Sequence, residues 1–134
     1  MKILLLTTTL LFSILLSFGQ TKGTLYKADK WADVKGKGDW VKAMNSPNKE
    51  KVEVLLTIKS IKVTFGAKTY DYKLVSFYRA SPVMWVYIVN LDGKTYKMNI
   101  SQNSLEINNE SYTINIENEW IITKIADVSA VDIK

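Results

Sequence analysis

Val83-Met84-Trp85-Val86-Tyr87-Ile88-Val89-Asn90-Leu91, then Asp92-Gly93, then Lys94-Thr95-Tyr96-Lys97-Met98-Asn99-Ile100, reads as two strands and the turn between them. The first arm is apolar on both faces, with Val83, Trp85, Tyr87, Val89 and Leu91 on one and Met84, Val86 and Ile88 on the other. A strand of that pattern is predicted to be the most buried of the chain. Asp92-Gly93 suits a type I′ turn, which needs positive φ at both central residues. In the second arm Tyr96, Met98 and Ile100 alternate with Thr95, Lys97 and Asn99, so that strand has one wet face.

The same period of two extends in both directions from this hairpin. Val52, Val54, Leu56 and Ile58 alternate with polar and apolar partners, and the alternation restarts at Ile61, Val63 and Phe65 after a change of phase at Lys59-Ser60. A tight hairpin or a bulge accounts for that change. Gly66-Ala67-Lys68 turns the chain into a strand over 69–78, with Tyr70, Tyr72 and Leu74 on one face and Val75 and Phe77 on the other. Ser81-Pro82 is predicted to end it, because proline cannot donate to a ladder. Further strands are predicted around Leu105 and Ile107, over Tyr112, Ile114 and Ile116, and from Trp120 to Ile125, with the tail from Ala126 onward as a final edge or disordered.

The amino-terminal part is less regular. Leu25 and Tyr26 can begin a strand, Lys35-Gly36-Lys37-Gly38 is a flexible turn, and 39–44 is read as a strand stopped by Asn45-Ser46-Pro47-Asn48. No helix is predicted outside the first residues. The fold class is therefore all-β, an antiparallel meander of about eight to ten short strands, closed as a barrel or folded as a sandwich.

Residues 1–19 read as a secretory signal peptide: Lys2, the apolar run from Ile3 to Phe18, then Gly19, with the cut before Gln20. A retained anchor is the competing reading, but the run falls short of the roughly 20 apolar residues a spanning helix needs. The expectation is an exported chain, periplasmic or extracellular, soluble and without stable membrane insertion after cleavage. Residues 20–134 then form one domain, large enough for a single core.

Absences narrow the chemistry further. Without cysteine the chain has no disulfide and no lipoprotein acceptor, and without histidine it lacks the commonest general base and the commonest zinc ligand. Carboxylate pairs such as Glu117 and Glu119, or Asp29 and Asp33, have the types a glycosidase uses, yet their spacing reads as solvated turns. No enzyme, metal or cofactor is predicted. The net charge of +5 is mild, the lysines are scattered and Arg79 is the only arginine. That pattern argues against a nucleic-acid partner, which calls for clustered Arg and Lys.

The chain holds four tryptophans, seven tyrosines and four phenylalanines. Tyr and Trp join a large apolar body to one polar handle, which suits a pocket for an amphipathic molecule, although the same residues also favour strands for packing alone. Tyr70, Tyr72, Trp85, Tyr87 and Tyr96 are the candidate pocket lining. Arg79 is the candidate partner for a ligand carboxylate, phosphate or acidic sugar, with a surface ion pair as its plainer role.

Gly38-Asp39-Trp40 resembles the Gly-x-Trp element that begins the first barrel strand of lipocalins and other calycins. The resemblance implies an up-and-down barrel with Trp40 closing one end, and it adds Trp40 to the candidate ligand-binding residues. The family's late-strand arginine has no counterpart, since Arg79 lies in mid-chain and only Lys124 is basic in the last strand. The spacing of Trp40, the 52–65 hairpin, the Tyr70 strand and the Asp92-Gly93 hairpin is also similar to small exported β proteins of Bacteroidetes. The function expected is non-enzymatic binding of a small apolar or amphipathic ligand in an aromatic-lined interior. The alternative is a surface module that binds a glycan or another exported protein through exposed aromatics or an edge strand.

Overall fold

A computed structural model describes residues 23–35, 40–103, 111–119 and 121–133, the side chain of Trp40 excepted. The signal-peptide reading, the turn at 36–38, the short strand around Leu105 and Ile107, and Trp120 lie outside those residues. The described chain forms β1 (Gly23–Lys35), α1 (Trp40–Asn45), β2 (Asn48–Thr57), β3 (Ser60–Phe65), β4 (Lys68–Ser81), β5 (Met84–Leu91), β6 (Lys94–Gln102), β7 (Tyr112–Glu117) and β8 (Ile121–Ile133). Each strand pairs antiparallel with the next, and β8 returns to β1, so the sheet closes as an eight-stranded barrel. Closure decides between barrel and sandwich. Among the described residues β4 beyond Leu74 pairs with β5 alone and β8 beyond Val128 with β1 alone, so those two lengths keep a one-sided edge.

The turns follow the local chemistry. Asp92 and Gly93 take φ of 52° and 81°, as a type I′ turn requires, and the Asn90 side chain accepts from the Gly93 N–H. Between β2 and β3 the Thr57 hydroxyl accepts from the N–H groups of Lys59 and Ser60 and donates to the Ser60 carbonyl. That clamp leaves Ile58 at the tip, 80% exposed.

Three readings of the sequence are corrected. The segment 39–44 is no strand: Trp40–Asn45 is a short helix packed against β1. Lys42, Ala43 and Met44 favour helix, and Pro47 disfavours its continuation. The strand that Leu25 and Tyr26 can begin is present, running from Gly23 to Lys35 through a bulge between Ala28 and Lys30. The tail is not disordered, because β8 runs to Ile133, pairing with β7 as far as Val128 and with β1 as far as Ile133. Finally, Val75 and Phe77 do not share a face. A bulge between Leu74 and Ser76 returns Phe77 to the side of Leu74, opposite Tyr87.

The waist of the barrel is packed solid. Ile61, Val63, Val89, Met98, Ile114 and Ile125 expose no surface even to a water-sized sphere, and among the described residues no polar or charged side chain is buried. Tyr26, Tyr72 and Tyr87 complete this core. The Gly66-Ala67 and Asp92-Gly93 turns stand at one end of the barrel, which we call the Gly66 end. The Ile58-Lys59 and Pro82-Val83 turns stand at the opposite, Arg79 end.

Burial raises the phenol pKa of all three core tyrosines: Tyr72 is pushed up to about 12, while Tyr26 and Tyr87 also rise, Tyr26 aided by the neighbouring Tyr87 and Tyr112. In the unfolded chain these phenols ionise near the ordinary value of about 10. The folded state thus holds more protons above that pH, and stability falls as pH rises from about 10 to 12, by up to about 1.4 kcal/mol per pH unit for each tyrosine. Absorbance at the phenolate band is expected to titrate in two stages, with the core tyrosines ionising only as circular dichroism records unfolding. A single stage ahead of unfolding would contradict their burial.

Candidate functional site

With the waist filled, open space lies at the two ends. The candidate residues divide between them. Tyr70, Tyr72 and Tyr96 sit toward the Gly66 end, near the starts of β4 and β6, whereas Arg79, Trp85 and Tyr87 sit toward the Arg79 end. Trp40 joins neither group through its backbone: it begins α1, on the helix packed against β1.

At the Arg79 end, β4 and β5 bring three rings together. Phe77 pairs across the ladder with Tyr87, and Arg79 with Trp85. The Phe77 ring stacks on Tyr87 at 6.1 Å and 29°, and tilts against Trp85 at 5.9 Å and 48°. Tyr26 and Tyr112 meet edge to face at 5.4 Å on the far side of the mouth. Two hollows open here and share Tyr87 as a wall. One, of about 260 Å³, is lined by Leu56, Ile58, Leu74 and Phe77; the other, of about 230 Å³, by Tyr26, Arg79, Trp85, Gln102 and Tyr112. Trp85 is thus not a core residue. It stands at the rim, 39% exposed, beside Phe77 at 57%.

Arg79 is held without a carboxylate. Its Nε donates to the Ser81 carbonyl at 3.2 Å and an Nη to the Pro82 carbonyl at 2.7 Å, both in the β4–β5 turn. The guanidinium lies over the Trp85 ring, 5.9 Å from the centroid. Among the described residues it takes part in no ion pair. The surface ion pair anticipated from sequence is replaced by a cation stacked on indole and tied to the main chain.

The Gly66 end carries a hollow of about 420 Å³, lined by Trp31, Asp33, Glu50, Phe65, Lys68, Tyr70, Tyr72 and Thr123. Tyr96 contacts Tyr72 edge to face at 5.4 Å but lines a separate polar hollow beside Gly93 and Glu119. No family model, curated protein or solved structure matches the chain. What the two ends can bind is therefore argued from their own chemistry. Among the described residues no group of three or more Asp or Glu is gathered as a metal site.

Sequence reading missed Phe77 and Trp31. The period of two puts Phe77 on the wrong face, because the bulge at Val75 is silent in the pattern. Trp31 is half-buried against the core, 4.9 Å from Phe65, and lines the Gly66 end of the barrel. The signal that could have found it was its spacing from Tyr26, five residues on and so out of phase unless a bulge intervenes.

Proposed function

We propose that this protein is a non-enzymatic binding protein for small amphipathic anions, taken at the Arg79 mouth of the barrel. The observation that carries this reading is the pairing of two large exposed rings, Phe77 and Trp85, with a guanidinium that has no carboxylate partner among the described residues. Leaving such rings in water forgoes about 1 kcal/mol or more of burial each. Exposed apolar surface grouped in this way marks a recognition surface. A ligand with a flat apolar body covers Phe77 and Trp85 while its carboxylate or sulfonate meets Arg79.

Arg79 also bears on the glycan alternative. Stacking a sugar requires an open ring face, and Arg79 lies over one face of Trp85. The packed waist likewise favours a ligand seated at the rim over one enclosed within the barrel.

Calorimetric titration with 2-naphthoate tests the proposal. Arg79→Gln and Trp85→Ala are each expected to weaken binding about tenfold or more, equivalent to about 1.4 kcal/mol. Trp85→Ala should lower the melting temperature only slightly, since the ring is partly exposed already. Arg79→Lys retains the charge and is expected to recover part of the affinity, because a point charge replaces the planar fork. Equal binding by the wild type and Arg79→Gln would refute the anion reading.

A further inference from the structure

The opposite end of the barrel has the opposite chemistry. We propose that the 420 Å³ hollow at the Gly66 end is a second binding site, for a small organic ammonium ion of about the size of choline. Its rings are steeply inclined: Trp31 and Phe65 stand at 53° with centroids 4.9 Å apart, and Phe65 and Tyr70 at 67° and 6.2 Å. A sugar needs one open flat face. A cation gains from several ring faces together with a nearby carboxylate, which is the combination this hollow provides.

Both carboxylates in the wall are anchored. Glu50 Oε1 accepts from the Trp31 indole N–H at 3.0 Å. Its other oxygen lies against Gly66, 2.6 Å from where a Cβ would stand, and Gly66 has φ of 59°. A side chain at 66 would be strained and would displace the carboxylate, so the turn leaves room for Glu50 in this position. Asp33 Oδ1, across the hollow's lining on β1, accepts from the Thr123 hydroxyl at 2.6 Å. Each carboxylate retains further acceptor capacity beyond its single anchor.

The charge balance points the same way. Two carboxylates face one lysine, Lys68, in the lining of this hollow, while the whole chain carries +5. An acidic aromatic recess in a basic protein favours cations locally where the surface as a whole favours anions. The site is independent of the Arg79 mouth, shares no lining residue with it, and stands or falls separately.

The test is a nuclear magnetic resonance titration of the purified protein with choline and, in parallel, with 3,3-dimethylbutan-1-ol, which has the same shape and no charge. Choline is expected to shift the resonances of Trp31, Phe65, Gly66 and Tyr70 saturably, with the alcohol at least about tenfold weaker. Glu50→Gln keeps an oxygen for the Trp31 N–H, and Asp33→Asn keeps one for Thr123. Both variants should therefore fold, as an unchanged melting temperature will show, and each should weaken choline about tenfold. Equal affinity for the neutral alcohol, undiminished binding by both variants, or preference for a neutral hexose would overturn the proposal, as would choline shifts centred on Phe77 and Trp85.

Discussion

A chain truncated after Ala126 is expected to lose cooperative folding at 25 °C. The last part of β8 supplies the partners of Gly23 to Lys27 on β1, from Ile133 back to Ser129, and the partner of Tyr112 on β7. Its removal also strips Val128, 2% exposed, from the core, and exposes the Tyr26–Tyr112 contact. Burying one valine contributes about 1.5 kcal/mol or more, and each ladder hydrogen bond about 0.5–1.5 kcal/mol net. Several such losses together approach the whole stability of a small domain, about 5–15 kcal/mol. Opening the seam adds a further fault, two unpaired edges prone to association. Thermal melts followed by circular dichroism check this. An unchanged melting temperature would mean that the tail is an appendage and that the 23–27 half of β1 does not depend on β8 for its place in the barrel.

Met98→Ala is expected to cost about 3 kcal/mol, within the range for deleting a fully buried methionine. Met98 exposes no surface and lies between Tyr87 and Ile116 on neighbouring strands. The closed ladder fixes the distance between those strands, so the walls cannot collapse into the space left behind. Met98→Leu, which nearly conserves volume, should cost less than about 1.5 kcal/mol. In urea unfolding the alanine variant is expected to shift the midpoint with little change in slope. A loss below about 1 kcal/mol would show that the waist has room to relax and is looser than its zero exposure implies.

The parts of the fold that sequence made legible are those where the period of two runs unbroken. The β5–β6 hairpin is the clearest case: alternation on both arms, and an Asp-Gly pair whose positive φ values the structure bears out. The β2–β3 hairpin follows the same logic, with its change of phase explained by the Thr57 clamp. Where a bulge intervenes, the pattern misleads. The bulges after Ala28 and after Leu74 each shift the phase by one residue, which conceals Trp31 as an inward ring and sends Phe77 to the wrong face. The helix at Trp40–Asn45 is too short for a helical period to register.

The candidate site was legible as residues but not as groups. Tyr70, Tyr72, Arg79, Trp85, Tyr87 and Tyr96 all lie on strands toward the interior side or the rim, but position along a strand becomes position in space only once the barrel closes. Tyr72 and Arg79 share β4, yet the strand runs from one end of the barrel to the other, so one serves the Gly66 end and the other the Arg79 end. Nor does sequence show Arg79 turned onto Trp85 by two main-chain carbonyls of its own turn. That placement turns a lone arginine into one half of an amphipathic site.

The most direct measurement is an amide-resolved titration with 2-naphthoate on the assigned protein. The account predicts saturable shifts centred on Phe77, Arg79, Trp85 and Tyr87, with Met98 and Ile114 at the waist unmoved. Shifts centred on the waist, or none at the Arg79 mouth at saturating ligand, would contradict it.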